Sequence, residues 1–250
     1  MLSKATLKYI SSLQVKKYRN QHQTFLVEGA KSVLEVLQSD FEIEKLLVTT
    51  SFSQKYPETG RKDIPLEVVG EEELAKAGNF ESNNAALAVV RMRKLTPLQL
   101  QPGTLYLALD DVRDPGNLGT ILRLADWYGL SDVLCSPSTA DFYNPKVISA
   151  SMGSFCRVKA HYLDLPSFLA SLPASVPVYG ALLQGENVHR LHLQPEGVLV
   201  MGNEARGISP EVANLIRTSL HIPSFGGAES LNVAIATAIL LDNFYRNKSN

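Results

Sequence analysis

The chain has 250 residues, 45% of them hydrophobic and 20% charged, with a formal net charge of −1. This is the composition of a soluble globular protein of one large or two modest domains, and the near-neutral balance points to no partner by itself. It argues against secretion and membrane insertion. The opening MLSKATLKYISSL lacks the apolar core of a leader peptide, and the apolar run 231–241 is too short to cross a bilayer.

Residues 1–31 hold six basic side chains (Lys4, Lys8, Lys16, Lys17, Arg19, Lys31) against one acid, Glu28, a local balance of 6 − 1 = +5. The cations are interleaved with Tyr18, Asn20, Gln21, His22 and Gln23. Such a stretch is either a nucleic-acid contact, with cations on phosphates and amides on bases, or a solvated helix face. From Thr24 the pattern becomes a short apolar run and then apolar residues at 33, 34 and 37, which predicts a strand entering an amphipathic helix. Strands are expected at 42–49, 65–69 and 85–90, with a helix opened by Glu71, Glu72 and Glu73. Two prolines and a glycine in TPLQLQPG then bracket a polar linker over 96–104.

Beyond the linker, strands are expected at 105–109, 133–135, 176–183 and 198–201, with another ending at His221 and Ile222. Helical spacing covers 118–130, 144–155, 210–217 and about 230–245. Strands alternating with helices predict a parallel sheet covered on both faces. The two cysteines, Cys135 and Cys156, lie far from any ligand spacing and read as reduced thiols of a cytoplasmic protein, with no metal site.

Three constellations stand out in this second half. Asp114-Pro115-Gly116-Asn117 turns the chain directly after a strand, Asn117 is a good N-cap, and Arg123 lies one and a half turns further on. Arg123 is either a surface arginine paired to Asp126 or a ligand-facing group, since open α/β sheets bind ligands beyond strand ends. In Gly202-Asn203-Glu204-Ala205-Arg206-Gly207, an acid is displayed between two glycines after a strand. Small residues there let a planar ligand approach the main chain. In Ser230-Leu231-Asn232-Val233, Ser230 can cap the last helix, which leaves Asn232 in an apolar first turn and in need of a polar partner. A Rossmann-type oxidoreductase is disfavoured, because no G-x-G-x-x-G is present.

Asn-x-Gly-x-x-x-Arg at 117–123, Gly-Asn-Glu-x-x-Gly at 202–207 and Ile-Pro followed by Ser-Leu-Asn-Val at 222–233, in this order, resemble the three motifs of the SpoU (TrmH-type) RNA ribose 2′-O-methyltransferases of the SPOUT superfamily. NPKVI with SMG at 144–153 resembles the intervening segment of that family, and FLVEGAKSVLEVL its ribosomal-protein-like substrate-binding domain. The resemblance implies an RNA-binding domain over 1–95, the linker at 96–104, and a methyltransferase domain over 105–250 with a deep trefoil knot, acting as a homodimer. It implies S-adenosylmethionine held by Gly202, Ile222 and Leu231, and RNA, ribosomal or transfer, met by Lys16, Lys17, Arg19 and Lys31. It makes Arg123 the catalytic arginine, supported by Asn117, Glu204, Ser230 and Asn232. A neutral guanidine near pH 7 would cost roughly 7–9 kcal/mol, so a charged Arg123 that stabilises the developing alkoxide is favoured over a general base. The reading from another class is a catalytically silent RNA-binding protein that uses only the basic N-terminus. Removal of residues 1–95 is expected to spare cofactor binding and abolish RNA methylation.

Overall fold

The protein is described by a computed structural model covering residues 2–60 and 62–246, and it divides into two compact units. The first unit comprises residues 1–94 together with 141–157. It contains α1 (Lys4–Ser12), α2 (Lys16–His22), β1 (Thr24–Glu28), α3 (Ala30–Leu37), β2 (Ile43–Val48), α4 (Thr50–Lys55), β3 (Leu66–Val68), α5 (Glu71–Ala77), β4 (Ala86–Arg91) and, from the later segment, α7 (Pro145–Ser151). Its sheet runs β1-β4-β2-β3, with β4 antiparallel to both neighbours and β3 parallel to β2. β1 is buried along its whole length, so Phe25, Leu26 and Val27 form a continuous apolar run instead of alternating, with Thr24 and Glu28 buried at its ends.

Successive side chains of β1 serve opposite faces. Leu26 joins Ile10, Leu13, Leu47, Leu74 and Leu87 under α1 and α5. Phe25 lies among Phe41, Tyr143 and Phe155, with ring centroids 5.5, 4.6 and 6.0 Å away. The aromatic core of the N-terminal unit is therefore completed by Tyr143 and Phe155, which lie more than fifty positions beyond β4 in the chain. The sequence placed 141–157 with the second domain, whereas the fold packs it with the first. The polar anchors of this unit are also long-range. Glu28 is buried and accepts from Asn79 N, Asn79 Nδ2 and Phe80 N, and a Cβ at Gly78 would lie 2.0 Å from its Oε2.

The second unit holds β5 (Leu105–Leu109), α6 (Pro115–Trp127), β6 (Asp132–Cys135), β7 (Lys159–Tyr162), α8 (Leu165–Ala170), β8 (Val178–Asn187), β9 (Gly197–Met201), α9 (Pro210–Ala213), β10 (Thr218–His221) and α10 (Val233–Tyr245). The expected parallel sheet is present, six strands in the order β10-β8-β9-β5-β6-β7. β5 and β9 are central, and all their residues are buried. From β5 the chain builds outward through β6 and β7, then returns to the other side of β5 for β8, β9 and β10. The strand order therefore reverses between β5 and β9, and a crevice for ligands opens beyond the carboxyl ends of strands at such a reversal.

Several boundaries differ from the sequence reading. α6 starts at Pro115, with Asp114 accepting from Asn117 N at 2.8 Å, so Asp114 and not Asn117 is its N-cap. Its buried stripe is Leu118, Ile121, Leu122 and Ala125. α7 stops at Ser151, because Met152 takes φ 53° and ends the helix. α10 starts at Val233, capped by Asn232 and not by Ser230. Among the described residues, no helix is long and apolar enough to span a membrane.

Candidate active site

The loops after β5 and β9 meet at the strand-order reversal, where Leu109 is in register with Met201. The β5 loop runs into α6 and presents Asn117. Because Asp114 takes the cap, the Asn117 side chain is released from that duty and its Nδ2 donates to Glu204 Oε1 at 2.8 Å. Asn117 Oδ1 in turn accepts from Asn232 Nδ2 at 2.9 Å. The polarity of this chain is set at its far end. Asn232 Oδ1 accepts from Ala234 N and Ile235 N, so only its NH2 is left to face Asn117. Asn117 must then offer oxygen to Asn232 and NH2 to the acceptor-only carboxylate. Three residues from three motifs, up to 115 positions apart, thus form one hydrogen-bonded line that leaves Glu204 Oε2 without a partner among the described residues.

The β9 loop is held in shape by its own backbone. Asn203 and Gly207 exchange N–H···O bonds of 2.9 Å in both directions, and Asn203 Oδ1 accepts from Ala205 N and Arg206 N. The neighbouring strand end contributes two acids. Asp110 Oδ2 accepts from Ser209 N at 2.7 Å, and the Asp111 main-chain carbonyl accepts from Asn203 Nδ2 at 2.8 Å. No role was expected of Asp110 and Asp111, and the Ser209 and Asn203 partners that tie them to the β9 loop lie more than ninety positions away, where no local pattern reveals them.

Gly202 is required where the loop closes on itself. A Cβ there would lie 2.3 Å from both Gly207 C and Ile208 N, so the loop returns against its own backbone on that side. Gly202→Ala is expected to force this loop open, lowering S-adenosylmethionine affinity at least tenfold in titration calorimetry. Undiminished affinity would show that the close approach is dispensable.

Not every expected residue joins the line. Ser230 is exposed and makes no hydrogen bond among the described residues. Arg123 is exposed on α6 and also makes no hydrogen bond or ion pair among them, so of its two readings the surface pairing with Asp126 is not the one realised. It shares its outer face with Trp127, four residues on, which is 83% exposed. Ile222 follows β10 half-buried, and Leu231 is 47% exposed just ahead of α10. Between them, residues 224–231 make no main-chain to main-chain hydrogen bond among the described residues.

In the first unit, Lys16, Lys17 and Lys31 are exposed, as an RNA-contacting surface requires. Arg19 is not. It is 1% exposed, and its guanidinium donates to Leu13 O at 2.9 Å, Gln14 O at 2.8 Å and Asp141 Oδ2 at 2.6 Å. The expectation that it meets RNA is corrected: a guanidinium with these partners has no surface to offer a phosphate. Burial pushes the Cys156 thiol up to about 12 and also raises that of Cys135, so both behave as small inert hydrophobes.

Comparison with known proteins places this geometry. Residues 104–242 match the SpoU rRNA Methylase family and residues 4–88 the MRM3-like substrate binding domain. The chain is 34% identical over 231 residues to the Bacillus subtilis 23S rRNA (guanosine(2553)-2′-O)-methyltransferase RlmP, covering 92% of this chain and 91% of that one. Its fold superposes on an S-adenosylmethionine-bound rRNA methyltransferase from Sinorhizobium meliloti with a TM-score of 0.87 at 31% identity, over 100% of this chain and 97% of that one. A TrmH-family protein from Porphyromonas gingivalis gives the same score at 38% identity, over 99% and 100% of the two chains. With the family match covering more than half of its length and the three motifs joined by one hydrogen-bonded line, the chain belongs to the SpoU rRNA methylase family.

Proposed function

We propose that the protein transfers the methyl group of S-adenosylmethionine to a ribose 2′-hydroxyl of RNA, ribosomal or transfer, with ribosomal RNA favoured by the full-length relative from Bacillus subtilis. The observation that carries this is the Asn232–Asn117–Glu204 line at the strand-order reversal of a SpoU fold. The residues fit the cofactor. The main chain of 224–231 is exposed and its N–H and C=O groups are unpaired with other main chain among the described residues, so they are open to a ligand. A planar purine edge supplies donors and acceptors of that kind, while Ile222 and Leu231 offer apolar contact. Bound there, the cofactor contributes an electrophilic methyl group.

The chain's own groups must then align the ribose and stabilise charge developing on its oxygen. Glu204, fixed by Asn117, has Oε2 available to accept from a substrate hydroxyl and orient it. Arg123, charged at neutral pH, stabilises the alkoxide and the adjacent phosphate, and the proton leaves to phosphate or solvent. Among the described residues Arg123 makes no hydrogen bond or ion pair with the Asn–Glu line, which supports a site assembled from two chains. The exposed Trp127 beside Arg123 and the half-exposed Ile235 on α10 supply the apolar surface for a homodimer. Trp127→Glu is expected to weaken the dimer at least ~30-fold, about 2 kcal/mol, and to reduce methyl transfer with it. An unchanged mass in sedimentation would place the interface elsewhere.

The same reading includes the trefoil knot, supported by the likeness to the family's folds, and a cytoplasmic setting, supported by two buried free thiols. In the first unit, Lys16, Lys17 and Lys31 contribute RNA affinity. The deciding experiment is transfer of labelled methyl to unmodified RNA followed by nuclease digestion. A 2′-O-methyl nucleoside is the expected product, and RNA binding without any methyl transfer would instead identify a silent RNA-binding protein.

A further inference from the structure

We propose that Arg113 and Arg206, both fastened to the carboxylate of Asp111, form a clamp for the phosphates of the RNA strand beside the reacting ribose. The proposal rests on the methyltransferase reading above. Its structural basis is a pedestal built with more care than a surface ion pair needs. Asp111 follows β5 with φ 61°, a left-handed conformation that an L side chain adopts only at a cost. Its N–H donates to Ser136 Oγ at 2.8 Å, and its carbonyl accepts from Asn203 Nδ2 at 2.8 Å. Its carboxylate, 16% exposed, accepts from Arg113 Nε at 2.6 Å through Oδ1 and from Arg206 Nη2 at 2.5 Å through Oδ2.

The two guanidiniums remain in solvent, 60% and 65% exposed. A guanidinium carries five N–H donors. Each of these uses one on Asp111 and, among the described residues, makes no other side-chain bond. One carboxylate cannot neutralise two such groups, so a positive charge and two nearly free donor forks are held at a fixed place. Stability alone does not account for this, since exposed ion pairs contribute ~0–1 kcal/mol. Burial tends to raise the Asp111 carboxyl, but hydrogen bonds from Arg113 and Ser138 and the charges of Arg113 and Arg206 outweigh it and hold it below the usual range. The arginines that the pedestal positions thus favour its ionised form in return.

The location is what assigns the ligand. Arg113 directly precedes Asp114, the cap of the helix that carries Asn117 and Arg123. Arg206 lies two residues beyond Glu204, and its N–H is fixed by Asn203. Both forks thus flank the crevice where the ribose must lie, and what surrounds a ribose in RNA is phosphodiester. Planar forks with free parallel N–H groups suit phosphate oxygens, and their fixed placement reduces the ordering cost of binding.

The test uses the full-length protein with in vitro transcribed, unmodified 23S ribosomal RNA, comparing wild type with the R113Q/R206Q double variant. At saturating S-adenosylmethionine, the expected result is a rise of about tenfold or more in KM for RNA with kcat changed less than threefold. Cofactor affinity and melting temperature should be unchanged. The slope of log affinity against log salt should become shallower by roughly 1.4, since each phosphate contact on a single strand contributes about 0.7. A double lysine variant, R113K/R206K, should recover the salt slope and only part of the KM. An unchanged KM and slope in an enzyme that methylates the transcript would overturn the clamp alone. Loss of cofactor affinity with an unchanged salt slope would overturn it as well and make the pair a brace for the loop. Absence of methyl transfer by the wild type to this or any other unmodified RNA would overturn the methyltransferase reading itself.

Discussion

Replacing Arg123 with alanine is expected to lower kcat for methyl transfer by about 10²–10³-fold while leaving the fold untouched. The two halves of that expectation come from different observations. The loss follows from removing a fixed charge aimed at a developing alkoxide, an interaction stronger in the transition state than in the bound substrate. The unchanged fold follows from Arg123 having no hydrogen bond or ion pair among the described residues, so its removal should alter stability by no more than about 0.5 kcal/mol. Kinetics, cofactor titration and a thermal melt on one preparation check both. Arg123→Lys sharpens the test, because lysine keeps the charge and discards the planar fork. Near-full activity with unchanged RNA affinity in that variant would eliminate a specific guanidinium role.

The second large effect lies far from the chemistry. Asp141→Asn should destabilise the N-terminal unit by about 3 kcal/mol, because it leaves the buried Arg19 cation without its counter-charge. At the usual dependence for a chain of this size, the melting temperature falls by roughly 6–12 °C. Replacing the pair together, Arg19→Met with Asp141→Leu, should recover much of that loss, since an apolar pair avoids the desolvation of both ions. If the double variant is no more stable than the single, the pair is not an isolated ionic contact. The same packing revises the truncation expected from the sequence. Deleting residues 1–95 would strip Phe25 and Phe41 from Phe155 and Tyr143, leaving an aromatic surface exposed on what remains. Retained cofactor binding after that deletion is therefore expected only if 141–157 is shortened as well.

What was legible in the sequence had strong local causes. β5 and β9 are uninterrupted apolar runs because both faces of a central parallel strand are covered, and they were found where expected. The motif residues Asn117, Glu204 and Asn232 were named as one group, and they are joined by hydrogen bonds. The helix starts were less legible. Asp114 and Asn117 are both good caps, as are Ser230 and Asn232, and in each pair the other residue was taken. Pro115 offered a discriminating signal, since proline favours the first helical position and so points to the residue before it as cap. Arg19 was not legible at all. It stands in a basic run, its burial depends on a carboxylate 122 positions away, and nothing in its neighbours separates it from Lys16 or Lys17. β7 and α8 were missed because they are short and only partly buried, so neither carries a clear period.

The strap of residues 141–157 has a consequence for how the protein is made. The N-terminal unit emerges from the ribosome first, yet its aromatic core and the counter-ion of Arg19 arrive only with the segment that ends at Arg157, 63 residues after Lys94. At ordinary translation rates that interval is roughly 3–13 s. During it, Phe25 and Phe41 lack their later-made partners, and the apolar surface they form beside a completed four-stranded sheet stays uncovered. Synonymous codon choice between Leu95 and Asp141, which sets the length of that wait, should therefore influence the yield of folded protein more than codon choice after Arg157.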